Sequence, residues 1–151
     1  MKAFLLDANV LSELWKPKPD PTVLVWFEVA EWYLPSPVIA EIQEGIEASP
    51  SAARKAELNA KLDEFLLYYG GAVMAWDAET ARVWGRLKHS AEVKRQPQPL
   101  WDSLLDAMAQ RYGAVVATRN QADFRHAETF SPWGYAPPKS EQAPGQAGGD
   151  T

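Results

Sequence analysis

The sequence predicts an α/β fold, in which one compact, mostly parallel β-sheet is flanked by helices on both faces. Three observations support this prediction. Short apolar runs alternate with helical segments along the chain. The first run, residues 2–6, is apolar on both faces, as expected for a parallel strand covered by helices. At 151 residues, the chain has the length of one domain.

The first half of the chain alternates strands with helices whose starts are marked by capping residues. Pro21 follows Asp20, and Pro37 follows Ser36, so each pair predicts a helix cap and the first helical position. A long amphipathic helix begins in SPSAARK and ends at the glycine pair of YGGA. The other elements are a strand over residues 2–6, helices over 10–15, 21–31 and 37–47, and a second strand in WYLPSP.

The second half continues the same alternation. AVMAW predicts a third strand, and Asp77 caps the helix that follows it. The segment QPQPL breaks the chain before a helix over residues 101–112, which Gly113 ends. AVVAT predicts a fourth strand, and ETFSPWGY contains a candidate last strand. We therefore expect one domain over residues 1–135, followed by a disordered Pro/Gly/Gln-rich tail over residues 136–151.

Composition excludes several kinds of site. The chain has no cysteine and two histidines, so disulfides, thiolate sites and histidine-rich zinc sites are excluded. The ligands of any metal should be carboxylates, which favour Mg²⁺ or Mn²⁺. No apolar run reaches the ~20 residues needed to cross a membrane, and the first residues do not resemble a signal peptide. We expect a cytoplasmic protein without membrane contact.

The charge balance predicts no broad electrostatic surface for nucleic acid, because the net charge is −5 and the pI is near 5.0. One local exception is the stretch RVWGRLKHSAEVKR, with five basic residues and one acid, which we expect to form the helix after Asp77 and the loop that follows it. It is a candidate contact for a phosphate backbone. Its basic residues are Arg82, Arg86, Lys88, Lys94 and Arg95.

Acidic residues occur where this fold class gathers its ligands, at the carboxyl ends of parallel strands. Asp7 ends the first strand, and Glu41 lies one turn into the helix after the second. Asp102 opens the helix that feeds the fourth strand, and Asp123 follows that strand together with Thr118 and Asn120. Four separated segments thus each deliver one carboxylate. Such a cluster repels itself unless a cation neutralises it, so the sequence predicts a divalent metal that acts on a phosphoryl group.

Each acid also has a structural explanation when taken alone. Asp7 and Asp102 could serve only as a helix cap and as a favourable charge at a helix start, respectively. Glu41 could face solvent, and Asp123 could close a turn. The coincidence of all four at the predicted edge of the sheet favours the functional interpretation. For Trp15 and Trp26, packing inside the protein and a groove for a partner both remain open.

Three ordered sequence blocks, LLDANVLSEL, SPVIAEIQEGI and WDSLLDAMAQRYGAVVATRNQADF, closely resemble the signature blocks of PIN-domain proteins. Among these, the chain resembles the VapC/FitB-type toxins of type II toxin–antitoxin modules, over residues 2–133. The resemblance implies a PIN-like domain that acts as an endoribonuclease dependent on Mg²⁺ or Mn²⁺. The acids of the family fall on Asp7, Glu41, Asp102 and Asp123, with Asp7 and Asp102 as metal ligands. It further implies a homodimer and a cognate antitoxin that lays a helix in a hydrophobic groove.

Two positions depart from the family pattern. Ala8 stands where a hydroxyl residue is usual, and Asp106 stands where a small apolar residue is usual. Asp106 could be structural, could crowd the pocket or could offer a fifth carboxylate. Two rival functions also remain: a catalytically silent PIN-like domain that binds RNA or protein, and a receiver-type phospho-acceptor domain. The sequence disfavours the receiver, because no lysine follows a final core strand.

Overall fold

The protein was studied as a computed structural model, which describes residues 2–139. The described chain contains five β-strands and seven α-helices, which alternate as the sequence predicts. The strands are β1 (Phe4–Leu6), β2 (Trp32–Pro35), β3 (Val73–Met74), β4 (Val115–Ala117) and β5 (Thr129–Phe130). The helices are α1 (Ala8–Leu14), α2 (Pro21–Val29), α3 (Ser36–Glu47), α4 (Ala52–Tyr69), α5 (Ala78–Lys88), α6 (Ala91–Arg95) and α7 (Leu100–Tyr112).

The five strands form one sheet in the order β3-β2-β1-β4-β5, and every neighbouring pair is parallel. The chain builds β1, β2 and β3 outward in one direction and then returns to place β4 on the other side of β1. The strand order therefore reverses between β1 and β4, which is the point where open α/β sheets form a ligand crevice. Asp7 lies at this point, where its backbone N–H donates to the Ala117 carbonyl at 3.0 Å.

The core covers both faces of the central strand. Leu5 and Leu6 are consecutive, so their side chains point to opposite faces, and both are fully buried. Phe4, Trp26 and Phe130 form an aromatic cluster with ring centroids 5.3–5.9 Å apart. Trp26 is therefore a core residue, and the alternative that it lines a partner groove is wrong.

Two local predictions need correction. Ser36 is not the cap of α3, because it is the first residue of the helix itself. Its hydroxyl instead accepts a hydrogen bond from the Trp76 backbone N–H at 3.0 Å, which ties the start of α3 to the end of β3. The basic segment after α5 is not only a loop, since it contains the short helix α6, capped by Ser90. Gly113 ends α7 in the left-handed conformation (φ 63°), as the sequence predicts.

The predicted tail begins at residue 136, and most of it lies outside the described residues. The boundary at residue 135 stays a prediction. Among residues 2–139, no helix is both long enough and apolar enough to cross a bilayer.

Candidate active site

The first candidate acid, Asp7, is held by its own helix and by the neighbouring strand. It caps α1, and its Oδ1 accepts the Ala8 N–H at 2.8 Å. Its Oδ2 accepts the Thr118 hydroxyl, which follows β4, at 2.7 Å. The Asp7 side chain is only 5% exposed. Burial raises the pKa of Asp7 above its ordinary value, while the hydrogen bonds from Thr118 and Ala8 act in the opposite direction.

Asn9 and Thr118 extend this contact into a small network across the β1–β4 crevice. Asn9 Nδ2 donates to Thr118 Oγ1 at 3.2 Å, and Asn9 Oδ1 accepts the Arg119 backbone N–H at 3.2 Å. Thr118 Oγ1 also accepts the Asn120 N–H at 3.0 Å. Thr118 is fully buried. Its hydroxyl therefore has both a donor role and an acceptor role, and it fixes the orientation of the Asp7 carboxylate.

Glu41 projects from α3 into the same region and is partly buried. Its pKa is raised to about 7, first by burial and then by the negative charges of Asp7, Asp102 and Glu44. A carboxyl group with this pKa exchanges its proton near neutral pH. That is the range in which a general base is effective.

Asp102 lies in the first turn of α7, and Asp123 ends a short 3₁₀ turn, Gln121–Asp123, after β4. The pKa of Asp102 is raised to about 6, first by burial and then by the charges of Asp7 and Asp123. The Arg125 guanidinium acts against this shift. The four acids singled out in the sequence thus lie within electrostatic reach of one another at the carboxyl edge of the sheet.

Within residues 2–139, no three or more His, Cys, Asp or Glu side chains are arranged so that together they could hold a metal ion. The four acids influence one another electrostatically, but no three of them are placed to bind the same ion. Their donor atoms are nevertheless all carboxylate oxygens, and burial together with mutual repulsion raises the pKa values of Glu41 and Asp102. This donor set fits a hard divalent cation, which would remove that repulsion.

Asp106 does not join the four acids as a ligand. Its carboxylate is buried and accepts backbone N–H groups from the segment 125–127, at 2.6 Å in the case of Ala127. Gln98 Nε2 also donates to it at 3.2 Å. Of the three roles that the sequence left open for Asp106, the geometry favours the structural one.

The five predicted basic residues do not lie on one surface. Arg82 and Arg86 line a hollow together with Glu79, and Lys88 and Lys94 line a different cavity. Arg95 instead lines a cleft of about 610 Å³ together with Arg125, beside the turn that carries Asp123. Arg125 and Gln98 could not be found from the sequence, because neither belongs to a recognisable motif.

A groove runs along α1 and α4 and ends near Glu41. It consists of two cavities of about 590 and 500 Å³ that share Trp15, Lys16, Pro17 and Lys61. We name it the α1–α4 groove. One cavity is lined by Phe65, Tyr68 and Tyr69, and the other by Ile42, Ile46 and Glu41. Trp15 therefore lines this groove, which agrees with one of the two interpretations that the sequence left open for it.

Comparisons with known proteins agree with this architecture. The PIN domain family matches residues 4–129. The chain is 32% identical to "VapC ribonuclease Y4jK" of Sinorhizobium fredii, over 85% of this chain and 96% of that protein. It is 27% identical to "Toxin FitB" of Neisseria gonorrhoeae, over 85% of this chain and 97% of that protein.

Solved structures give the same result. The crystal structure of FitAcB from Neisseria gonorrhoeae matches with a TM-score of 0.74 and 25% identity, over 87% of this chain and 99% of that one. The DNA-bound VapBC complex from Salmonella typhimurium matches in fold, with a TM-score of 0.70 and 21% identity, over 87% and 99% of the two chains. The predicted fold and the predicted VapC/FitB resemblance are both confirmed. The chain belongs to the PIN domain family.

Proposed function

We propose that this protein is a metal-dependent endoribonuclease that serves as the toxin of a type II toxin–antitoxin module. The observation that carries the proposal is the convergence of Asp7, Glu41, Asp102 and Asp123 from four separated segments on one edge of the sheet. The relative named a VapC ribonuclease supports RNA as the substrate.

Asp7 and Asp102 would hold Mg²⁺ or Mn²⁺, and Asp123 would complete the acidic pocket. When bound, the ion supplies charge stabilisation at the phosphoryl group and lowers the pKa of water. Asp7 is positioned for this role because Thr118 and the Ala8 N–H fix both of its oxygens. Asp102 lies in the first turn of α7, where the charge of Asp7 acts on it.

Glu41 is the candidate general base. Its pKa of about 7 lets it accept a proton from an attacking water at neutral pH and release the proton afterwards. The pKa of Asp102 is raised only to about 6, so Asp102 is more fully ionised than Glu41 at neutral pH. The different surroundings of Glu41 and Asp102 thereby suit them to different roles.

Arg95 and Arg125 are the candidate contacts for the RNA backbone. They line one cleft, and the charge of Arg125 reaches Asp102. Arg125 is also held in place, since its Nε donates to the Gln96 carbonyl at 3.0 Å and its Nη1 donates to the Ala122 carbonyl. A phosphate next to the scissile bond would meet a preorganised guanidinium there.

The α1–α4 groove is the candidate site for an antitoxin helix. Its lining is mainly apolar and aromatic, and it leads to Glu41, so a bound segment would end beside the acidic pocket. The similar proteins include one named as a toxin, FitB of Neisseria gonorrhoeae, and a toxin–antitoxin complex from Klebsiella pneumoniae. The proposal includes a homodimer and a cytoplasmic location, as expected for a module that acts on cellular RNA.

The test is RNA cleavage by the purified protein with and without metal. We expect cleavage that requires Mg²⁺ or Mn²⁺, that EDTA abolishes and that Asp7→Asn reduces by several orders of magnitude. Asp63→Asn is a matched control, because it makes the same substitution at an exposed position of α4 that does not line the cavity containing Glu41. A protein that binds RNA or an antitoxin without any metal-stimulated cleavage would instead be the catalytically silent domain.

A further inference from the structure

Asp106 is a buried carboxylate in the middle of α7, one turn after Asp102. It is 1% exposed, and a buried carboxylate is costly unless donors surround it. The surroundings of Asp106 should therefore show what this additional carboxylate does.

Four of the five hydrogen bonds that Asp106 accepts come from the segment just after the fourth acid, Asp123. Its Oδ1 accepts from the backbone N–H of Ala127 at 2.6 Å and of His126 at 3.3 Å. Its Oδ2 accepts from His126 at 3.2 Å and, more weakly, from Arg125 at 3.4 Å. Three consecutive backbone donors thus converge on one side chain, and hydrogen bonds of this type to a charged acceptor are among the stronger ones in proteins.

Gln98 links the same carboxylate to Asp123. Its Nε2 donates to Asp106 Oδ2 at 3.2 Å and to the Asp123 backbone carbonyl at 3.0 Å. The fourth acid is therefore connected to α7 by two routes, through Gln98 and through the segment 125–127. Since α7 also carries Asp102, both routes set the distance between Asp102 and Asp123.

We propose that Asp106 is a positioning residue, which anchors the segment 123–127 on α7 and thereby fixes Asp123 relative to Asp102. It touches neither substrate nor ion. The anchoring is a property of the folded chain and does not depend on the proposed function. Only its expected effect on metal binding rests on that function. Ligand placement by a neighbouring hydrogen-bonded group commonly changes metal affinity by ~10–100-fold.

The first test is amide hydrogen exchange of the metal-free protein. Asp106→Asn keeps the size of the side chain, but in either orientation its NH₂ group faces a backbone N–H donor. We expect the amides of Arg125, His126 and Ala127 to exchange at least ten-fold faster than in the wild type. Unchanged exchange in a folded Asp106→Asn protein would overturn the inference.

The second test is Mn²⁺ binding by calorimetry without RNA, with RNA cleavage measured in parallel. Asp106→Asn should weaken Mn²⁺ binding about ten-fold and lower kcat, with the KM for RNA within two-fold of the wild type. Gln98→Ala, which removes only the bridge to Asp123, should show a smaller effect in the same direction. It also keeps the inference testable if Asp106→Asn fails to fold.

Asp77→Asn is the matched control. Asp77 also accepts a backbone N–H, from Thr80 at 2.8 Å, but it caps α5 and lies beside Arg111. It should lower stability without altering Mn²⁺ affinity. Equal losses of Mn²⁺ affinity in Asp77→Asn and Asp106→Asn would show that Asp106 only stabilises the fold in general. A wild type that neither binds Mn²⁺ nor cleaves RNA would refute the proposed function, and hydrogen exchange would still decide the anchoring.

Discussion

The Thr118 hydroxyl donates to Asp7 Oδ2 at 2.7 Å, which joins the ends of β1 and β4 across the point where the strand order reverses. Ala8, which follows the first acid in the sequence, has no hydroxyl group. The structure supplies one from a residue 111 positions further along the chain. The first acid of the site is thus oriented by tertiary contact and not by its sequence neighbour.

Replacing this hydroxyl should change the ionisation of Asp7. The Thr118 hydrogen bond lowers the pKa of Asp7 against the effect of burial. Thr118→Val removes the donor with little change in shape, so we expect the pKa of Asp7 to rise further, because a hydrogen bond that favours the charged carboxylate is lost. Carbon NMR titration of the Asp7 carboxyl would measure this. Thr118→Ser, which keeps the hydroxyl, should titrate like the wild type, and an unshifted Thr118→Val would contradict the assignment.

Neutralising Glu41 should stabilise the metal-free protein at high pH. Its pKa is raised in the folded state from 4.5 to about 7, so the folded chain binds this proton more tightly than the unfolded chain. The free energy of unfolding therefore falls as pH rises from about 4.5 to about 7. After allowance for partial solvent exposure, Glu41→Gln should gain about 1 kcal/mol, or about 2–4 °C in melting temperature, at pH 8.

The control for this stability prediction is Asp63→Asn, which removes an exposed carboxylate from α4. It should shift the melting temperature by much less than Glu41→Gln at pH 8. Neither variant should gain stability at pH 4, where Glu41 is protonated in both states. A loss of stability in Glu41→Gln at pH 8 would mean that Glu41 is not electrostatically strained in the fold.

Metal binding should compete with protons at the acidic pocket. The pKa values of Asp102 and Glu41 are about 6 and about 7. At a pH below its pKa, a carboxyl group is protonated and must release that proton when it binds the ion. We expect Mn²⁺ affinity to rise by up to about ten-fold per pH unit between pH 5.5 and 7 and to level off near pH 8. Calorimetry over this range would measure it. An affinity that does not change with pH would exclude both carboxyls from the binding equilibrium.

Two neighbouring residues of α4 test the α1–α4 groove. Tyr68 and Leu67 are 79% and 87% exposed, but only Tyr68 lines the groove. Tyr68→Ala should weaken binding of the cognate antitoxin about ten-fold, as expected for an aromatic anchor, and Leu67→Ala should have little effect. Both variants should cleave RNA like the wild type. Equal antitoxin affinity in the two variants would place the partner on another surface.

Sequence patterns were sufficient to predict the alternation of strands and helices and the parallel sheet, and they singled out the four acids as candidates. These features have local signatures: apolar runs without alternation, Asp or Ser before a helix, and a glycine after α7. The short strand β5 could also be predicted, because threonine and phenylalanine are residue types that favour strands. Ser36 misled the prediction since a cap and a first helical residue look alike in sequence.

Which side chains contact one another depends on the tertiary structure. The partners of Asp7 and Asp106 lie 111 and 19–21 residues away in the chain, and nothing in local spacing relates Thr118 to Asp7 or Ala127 to Asp106. The same holds for the basic residues, because Arg95 lines a cleft beside the turn that carries Asp123, while Arg82 and Arg86 line a different hollow. Local sequence sets backbone conformation, whereas burial, hydrogen-bond partners and pKa values depend on the strand order, which brings distant segments to one edge of the sheet.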